Sequence, residues 1–141
     1  EYHMLERDVE REVLPYCRAN KVGFVPYFPL AGGFLTGKYK RGQPPPSGSR
    51  GETREYVQDY MTNANYTKIE RLSAWAAKRD RGINELAQAW LLAQDQVCSV
   101  ISGMTGLDHM LSNAKASDWH LTTEELAEID ITLDGKDTGS E

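Results

Sequence analysis

The stretch VGFVPYFPLAGGFLTGKY, residues 22–39, decides the fold class of this chain. Its first part, residues 22–27, is almost continuously apolar, which is typical of a parallel strand buried on both faces. A helical pattern over residues 8–20 runs directly into this strand. The β-branched run at residues 97–101 predicts a second strand. A helix that leads straight into a buried strand indicates an α/β fold with parallel strands.

Hydrophobic residues at helical spacing predict further helices on both sides of the second strand. Their apolar residues recur every three or four positions, with charged residues between them. The predicted ranges are 66–80, 84–95, 107–116 and 123–134.

Capping residues and prolines predict where these helices begin or bend. Asp8 is the expected N-cap of the first helix, and Asn84 that of the helix at 84–95. Thr122 or Thr123 is expected to cap the last helix. Pro15 predicts a bend inside the first helix, because proline removes a backbone donor and crowds the preceding turn.

A long segment between the first strand and the next helix, residues 29–64, is predicted to be a loop. It holds four of the chain's 6 prolines, and residues 43–51 read QPPPSGSRG, which argues against regular structure there. Aromatic and charged residues continue through it. Loops of this length in compact chains are usually functional or disordered, so we expect it to cover a ligand.

Composition limits the classes of function. The 141 residues, enough for one domain, carry a net charge of −5, which argues against a nucleic-acid partner. A membrane-spanning helix needs about 18 consecutive apolar residues, and no apolar run in the sequence approaches that length. Two distant cysteines predict a reduced, cytoplasmic setting, and the three histidines have no metal-ligand spacing. Because the chain does not begin with Met, we expect it to start within a longer protein.

One motif nearly matches a phosphate-binding loop. Residues 32–39, GGFLTGKY, fit the pattern G-x-x-x-x-G-K-[ST] except that Tyr39 occupies the last position. The loop of a nucleotide triphosphatase must be followed by a helix, and prolines follow here instead. The motif therefore argues against a triphosphatase. Its glycines still allow a ligand to approach the backbone closely, and Lys38 supplies positive charge.

Three other features could bind a ligand or be structural. The segment 101–105 leads from a strand end into a helix, where backbone amides can accept an anion, although these residues alone favour an ordinary strand-to-helix turn. Tyr27 could be a stacking platform or a core aromatic. Arg50 could bind a phosphate or be a solvated loop charge. No G-x-S-x-G nucleophile motif is present, and no catalytic residue is predicted.

At this point the chain resembles a known family. Residues 27–39 closely resemble the seventh-strand segment of aldo-keto reductases, and residues 1–7 resemble the region after their sixth strand. The spacing Gly103-x-Thr105-x-x-x-His109-x-x-Ser112-Asn113 is similar to the segment after their eighth strand. The resemblance covers residues 1–134 and implies the C-terminal part of a (β/α)8 barrel, incomplete in this chain. The tail at 135–141 is expected to be disordered, because chain ends are often poorly ordered.

The resemblance also implies a bound cofactor, NADP(H), lying extended across the C-terminal face of the barrel. It assigns positions from the nicotinamide, through the pyrophosphate and the other phosphates, to the adenine. Tyr27 is assigned to the nicotinamide, and Phe28, Leu30 and Gly32 are assigned to the pyrophosphate region. Lys38 and Arg50 are assigned to the cofactor phosphates, and Gly103 and Thr105 to the adenosine phosphate. The adenine end is assigned to His109, Ser112 and Asn113. Phe28 and His109 stand where relatives often carry Ser and Gln. Thr105 stands where they often carry Ser or Arg, so the resemblance does not decide whether the cofactor is NADP or NAD.

The resemblance implies that the cofactor-binding residues and the catalytic residues lie on different halves of the barrel. The catalytic Asp, Tyr, Lys and His of the family lie on the first half of the barrel and have no counterpart here. The chain is thus expected to be the cofactor-binding part of an oxidoreductase that reduces aldehydes or ketones, inactive alone. It would work with its missing N-terminal half or as an oligomer. The alternatives are a non-catalytic, truncated or regulatory dinucleotide-binding remnant, since some relatives are channel subunits, and a stand-alone helical interaction domain.

Overall fold

The structure is a computed structural model that describes residues 1–134. The predicted disordered tail, residues 135–141, lies outside the described residues. The described part contains α-helices joined by short 3-10 turns at Asp8–Glu10, Ala31–Thr36 and Ala116–Asp118. The helices are α1 (Val13–Asn20), α2 (Arg50–Thr53), α3 (Glu55–Gln58), α4 (Asn63–Ala77), α5 (Ile83–Leu92), α6 (Leu107–Lys115) and α7 (Thr123–Asp134).

The two predicted strands at 22–27 and 97–101 are reduced to one isolated parallel bridge between Phe24 and Val97. The Phe24 N–H donates to the Gln96 carbonyl at 2.7 Å, and the Cys98 N–H donates to the Phe24 carbonyl at 3.1 Å. The predicted strand lengths were therefore wrong, although the parallel direction was correct. Pro26 has no N–H with which to continue the ladder.

The first helix begins later than predicted. Asp8–Glu10 forms a separate 3-10 turn, and α1 starts only at Val13, so Asp8 does not cap it. Pro15 then lies in the first turn of α1, where a backbone N–H has no intrahelical partner and its loss costs nothing. The expected bend at Pro15 was wrong, because the break precedes it.

The caps of the later helices agree only in part with the predictions. Thr122 forms a capping box with Glu125: its hydroxyl accepts the Glu125 N–H at 3.2 Å, and the Glu125 carboxylate accepts the Thr122 N–H at 3.0 Å. Gly82, not Asn84, precedes α5. Asn84 lies inside α5, and its side chain bonds across to Ser112 of α6.

The segment 29–64 contains more regular structure than predicted. The 3-10 turn Ala31–Thr36, α2, α3 and the first residues of α4 all fall within it. Helix α2 begins at Arg50, inside the stretch where regular structure had been excluded. Glycines at 32, 33 and 37 adopt positive φ of 63°, 101° and 73°, which folds the turn tightly enough to cover the core.

The core lies between α4, α5 and the 3-10 turn at 31–36. Trp90 of α5 is 1% exposed and its ring centroid lies 5.3 Å from that of Tyr2, which joins the N-terminal segment to α5. Phe34 of the turn packs edge-to-face on Tyr66 of α4, with centroids 5.3 Å apart. This packing fixes the start of the long segment against the helices. Within residues 1–134, no helix is both long and apolar enough to span a bilayer.

Candidate functional site

A cavity of about 430 Å³ opens beside the end of the segment 22–27. Four aromatic rings and two carboxylates line it. These belong to Glu1, Tyr27, Phe28, Tyr56, Asp59 and Tyr60. The N-terminal segment supplies one carboxylate, and the α3 region of the long segment supplies the other. We call this the aromatic cavity.

Phe28 forms the floor of the aromatic cavity in an unusual backbone conformation. Its φ of 64° lies in the left-handed region, which a residue with a Cβ adopts only where packing enforces it. The Phe28 ring lies 5.5 Å from Tyr56 and 6.4 Å from Tyr60, measured between centroids. Gly32 is buried beneath it, since a Cβ there would lie 2.9 Å from the edge of the Phe28 ring.

A hydrogen-bonded group of titratable side chains supports one wall of the aromatic cavity. The Tyr60 hydroxyl donates to Glu1 Oε1 at 2.7 Å, and His3 Nε2 lies 3.1 Å from the same oxygen. His3 Nδ1 accepts the Leu5 N–H at 3.2 Å, so Nε2 carries the ring proton and donates to Glu1. The group fixes Glu1 and Tyr60 relative to each other.

The environment shifts the pKa of each member of this group. Burial raises the pKa of the Glu1 carboxyl, but the hydrogen bonds from Tyr60 and His3 outweigh it and hold that pKa below its usual value. Burial, aided by the bond to Glu1, raises the pKa of the Tyr60 hydroxyl. Burial lowers the pKa of His3, against the opposing effect of Glu1. Glu1 is therefore ionised and His3 neutral at neutral pH.

The buried neutral histidine predicts a loss of stability in mild acid. The folded-state pKa of His3 lies below its unfolded value of 6.5, so the unfolded chain takes up the proton first. The free energy of unfolding is expected to fall as the pH drops through 6.5 toward that lower pKa. Urea denaturation across this range should show a shallower pH dependence for His3→Asn than for the wild type. His120→Asn, at an exposed residue, is the control; an equal change in both variants would contradict the prediction.

Lys38 and Arg50 lie at a junction of the long segment. Lys38 is exposed, and its Nζ lies 5.1 Å above the Tyr39 ring. The Tyr39 hydroxyl accepts the N–H of buried Gly51 at 3.0 Å, which ties the turn at 31–36 to α2. Arg50 precedes Gly51 and is exposed. Tyr39, which departs from the phosphate-loop pattern, therefore has a structural role, because its hydroxyl links the turn to α2.

A second cavity, of about 270 Å³, lies at the start of α6. It is lined by Thr105, Gly106, Leu107, Asp108 and His109, and the Thr105 hydroxyl lies 3.0 Å from His109 Nδ1. Two residues predicted for the adenosine end therefore line one cavity. Gly103 is exposed with open space around its Cα, and Asp108 adds a negative charge that sequence reasoning had not weighed.

Ser112 and Asn113 are turned toward α5. Asn84 Nδ2 donates to the Ser112 hydroxyl at 2.7 Å, and Gln88 Nε2 donates to Asn113 Oδ1 at 3.0 Å. The Ser102 hydroxyl donates to the same Gln88 side chain at 2.7 Å. Sequence reasoning missed Asn84 and Gln88 as the residues that position α6. Two amides spaced by four on an apolar helix were the available signal.

The predicted cofactor residues thus fall into separate groups. Tyr27 and Phe28 line the aromatic cavity, Thr105 and His109 line the second cavity, and Leu30 packs against the core. Sequence reasoning missed Glu1 and Asp59 as residues that line the aromatic cavity. The aromatic residues of the long segment were the signal for Tyr56 and Tyr60, which line it as well. Within the described residues, no group of three metal-ligating side chains comes together.

Known proteins match nearly the whole of this chain in sequence. The chain is 34% identical over 134 residues to the L-glyceraldehyde 3-phosphate reductase of Escherichia coli (strain K12), covering 92% of this chain and 39% of that protein. It is 32% identical over 146 residues to a rice protein named "Probable voltage-gated potassium channel subunit beta", covering 96% of this chain and 43% of that protein. It therefore spans about two fifths of the length of these relatives.

A solved structure and a family model agree with these matches. A glycerol dehydrogenase from Gluconobacter oxydans superposes with a TM-score of 0.78 at 24% identity, covering 99% of this chain and 42% of that one, which shows a shared fold. The model of the aldo/keto reductase family matches residues 1–134. The resemblance drawn from residues 27–39 and 103–113 is confirmed, and the chain belongs to the aldo/keto reductase family.

Proposed function

We propose that this chain is the C-terminal, cofactor-binding part of an NADP(H)-dependent oxidoreductase that reduces the carbonyl of an aldehyde or ketone to an alcohol. In this proposal, residues 1–134 form one domain, the C-terminal part of a (β/α)8 barrel. It acts in the cytoplasm on a small-molecule carbonyl, with the rest of the barrel or another copy completing it. The catalytic groups lie outside this chain, and the chain alone is inactive.

The observation that carries this proposal is that each of the two segments paired at the parallel Phe24–Val97 bridge is followed along the chain by residues that line a cavity. The segment containing Phe24 leads into the aromatic cavity, and the segment containing Val97 leads into the second cavity. In parallel α/β folds, ligands bind where the carboxyl ends of adjacent strands meet. Tyr27, assigned to the nicotinamide, and His109, assigned to the adenine end, line different cavities, as an extended dinucleotide requires.

Residues of the chain offer donors and surfaces suited to such a cofactor. Tyr27 is 66% exposed and presents its ring to the aromatic cavity. Asn113 Nδ2 is buried without a hydrogen-bond partner in the described residues, and an adenine nitrogen is an acceptor that would satisfy it. Lys38 and Arg50 are exposed and supply positive charge in the long segment. When bound, the cofactor would supply the hydride, and this chain would orient it.

The proposal predicts measurable cofactor binding by the isolated chain. Titration with NADPH and with NADH, followed by nicotinamide fluorescence, should saturate. Tyr27→Ala should weaken binding by about tenfold, because an aromatic stack contributes about 1–3 kcal/mol. His120→Asn, at an exposed residue that lines neither cavity, should bind like the wild type. Failure of both cofactors to bind would refute the proposal, and the ratio of the two affinities would decide between NADP and NAD.

A non-catalytic, regulatory dinucleotide-binding role is the second candidate. The rice relative, named as a potassium channel subunit, favours it because that protein shares 32% identity with nearly this whole chain. Both candidates predict binding without turnover by the chain alone. They differ for the longer protein that includes it: oxidation of NADPH by glyceraldehyde supports the reductase, whereas binding without oxidation supports the regulatory role.

A further inference from the structure

We propose that the aromatic cavity is a site for organic cations and selects a ligand ring or headgroup that carries a permanent positive charge over its neutral counterpart. The inference deepens the proposed function, because the oxidised nicotinamide ring is such a cation and the reduced ring is neutral. It also stands on the chemistry of the cavity itself, whatever ligand occupies it.

The first support is the aromatic lining. Phe28 is surrounded by Tyr56 at 5.5 Å and Tyr60 at 6.4 Å between ring centroids, and Tyr27 completes the lining with a ring that is 66% exposed. Aromatic faces attract cations through their quadrupole and are the usual recognition element for quaternary ammonium groups. A neutral ligand of the same shape gains the contact but not the attraction.

The second support is the charge of the cavity wall. Two carboxylates, Glu1 and Asp59, line it, and hydrogen bonds from Tyr60 and His3 keep Glu1 ionised. Both donors converge on Glu1 Oε1. Within the described residues, Oε2 has no hydrogen-bonding donor, so this oxygen keeps its charge available to a ligand in the cavity.

The third support is the lack of a compensating cation in the lining. No lysine or arginine of residues 1–134 lines the cavity, and burial keeps neighbouring His3 neutral. Glu6 adds a further negative charge near His3 and Tyr60. N-acetylated chain is used in the test, so that no terminal amino charge lies beside Glu1.

The test compares a charged with an uncharged probe in each of two pairs, of which the choline pair differs in charge but not in shape. Choline and its uncharged analogue, in which carbon replaces the quaternary nitrogen, are titrated into the N-acetylated chain by NMR. We expect choline to bind about tenfold more tightly than the carbon analogue. The N-methylated nicotinamide cation should likewise bind more tightly than nicotinamide. Equal affinities within each pair would overturn the proposal.

Variants separate the cavity from general surface charge. Asp59→Asn keeps the shape of an exposed side chain and should reduce the preference for choline several-fold, and Tyr56→Leu should reduce it as well. Asp118→Asn removes the same charge from an exposed residue that lines neither cavity and should leave the preference unchanged. A preference unaffected by Asp59→Asn, or lowered equally by Asp118→Asn, would place the cation elsewhere and refute the site.

The same experiment separates this inference from the proposed function. Preference for choline in a chain that binds neither NADPH nor NADH would refute the dinucleotide proposal and leave the cation site standing. Binding of NADPH and NADP⁺ with equal affinity, together with no preference for choline, would refute the cation site and leave the dinucleotide proposal standing.

Discussion

Replacing Gly32 with alanine is expected to lower the free energy of unfolding by about 3 kcal/mol. Gly32 has a φ of 63°, a left-handed conformation that costs a residue with a Cβ about 1–2 kcal/mol. Its Cβ would also lie 2.5 Å from Val57 Cγ2 and 2.9 Å from Phe28 Cζ. Such overpacking adds about 1–3 kcal/mol. The displaced Phe28 ring should also distort the aromatic cavity.

Gly42→Ala is the matched control for that experiment. Gly42 has a similar φ of 71°, but a Cβ there would meet nothing within 4 Å. It should therefore lose only the conformational part, about 1 kcal/mol. Urea denaturation of both variants measures the difference. Equal losses would mean that Val57 and Phe28 move aside freely, and that the close packing around Gly32 does not hold the turn.

Gln88→Leu is expected to lower the free energy of unfolding by about 2–3 kcal/mol and to weaken binding at the second cavity. Gln88 is 3% exposed, donates to the Asn84 carbonyl at 3.1 Å and to Asn113 Oδ1 at 3.0 Å, and accepts the Ser102 hydroxyl at 2.7 Å. Leucine fills a similar volume but leaves these partners unsatisfied, at about 1–3 kcal/mol for each buried group. Helix α6 would lose a link that positions it.

Gln94→Leu, just beyond the end of α5, provides the comparison. Gln94 is partly exposed, and its amide makes a single bond, to the Trp90 carbonyl at 3.0 Å. Its loss should cost about 1 kcal/mol or less. Thermal melts and nucleotide titration of both variants measure the two effects. A Gln88→Leu chain as stable as Gln94→Leu would show that the buried amide does not hold α5 and α6 together.

Local patterns predicted the helices well and the strands poorly. The four helices after residue 62 were predicted within a few residues, because apolar spacing and caps such as Thr122 act within one helix. The strands at 22–27 and 97–101 were predicted from β-branched and apolar content. A strand, however, exists only through its hydrogen-bonded neighbours, and one parallel bridge is all that pairs them within the described residues.

The candidate site divides in the same way. Motif reasoning named Tyr27 and Phe28 at the aromatic cavity and Thr105 and His109 at the second cavity. It did not name Glu1 or Asp59, because no pattern links residues so far apart in the chain until folding brings them to one wall. The roles of the named residues in cofactor binding stay predictions.

The sequence by itself determined the family and the four helices after residue 62, because each depends on side chains close together along the chain. Only the tertiary structure decided that Gly32 lies beneath Phe28, that Gln88 holds Asn113, and that Glu1 is ionised beside neutral His3. These features depend on burial and on contacts between distant segments. The electrostatics that favour a cation in the aromatic cavity therefore arise from packing, which no local pattern encodes.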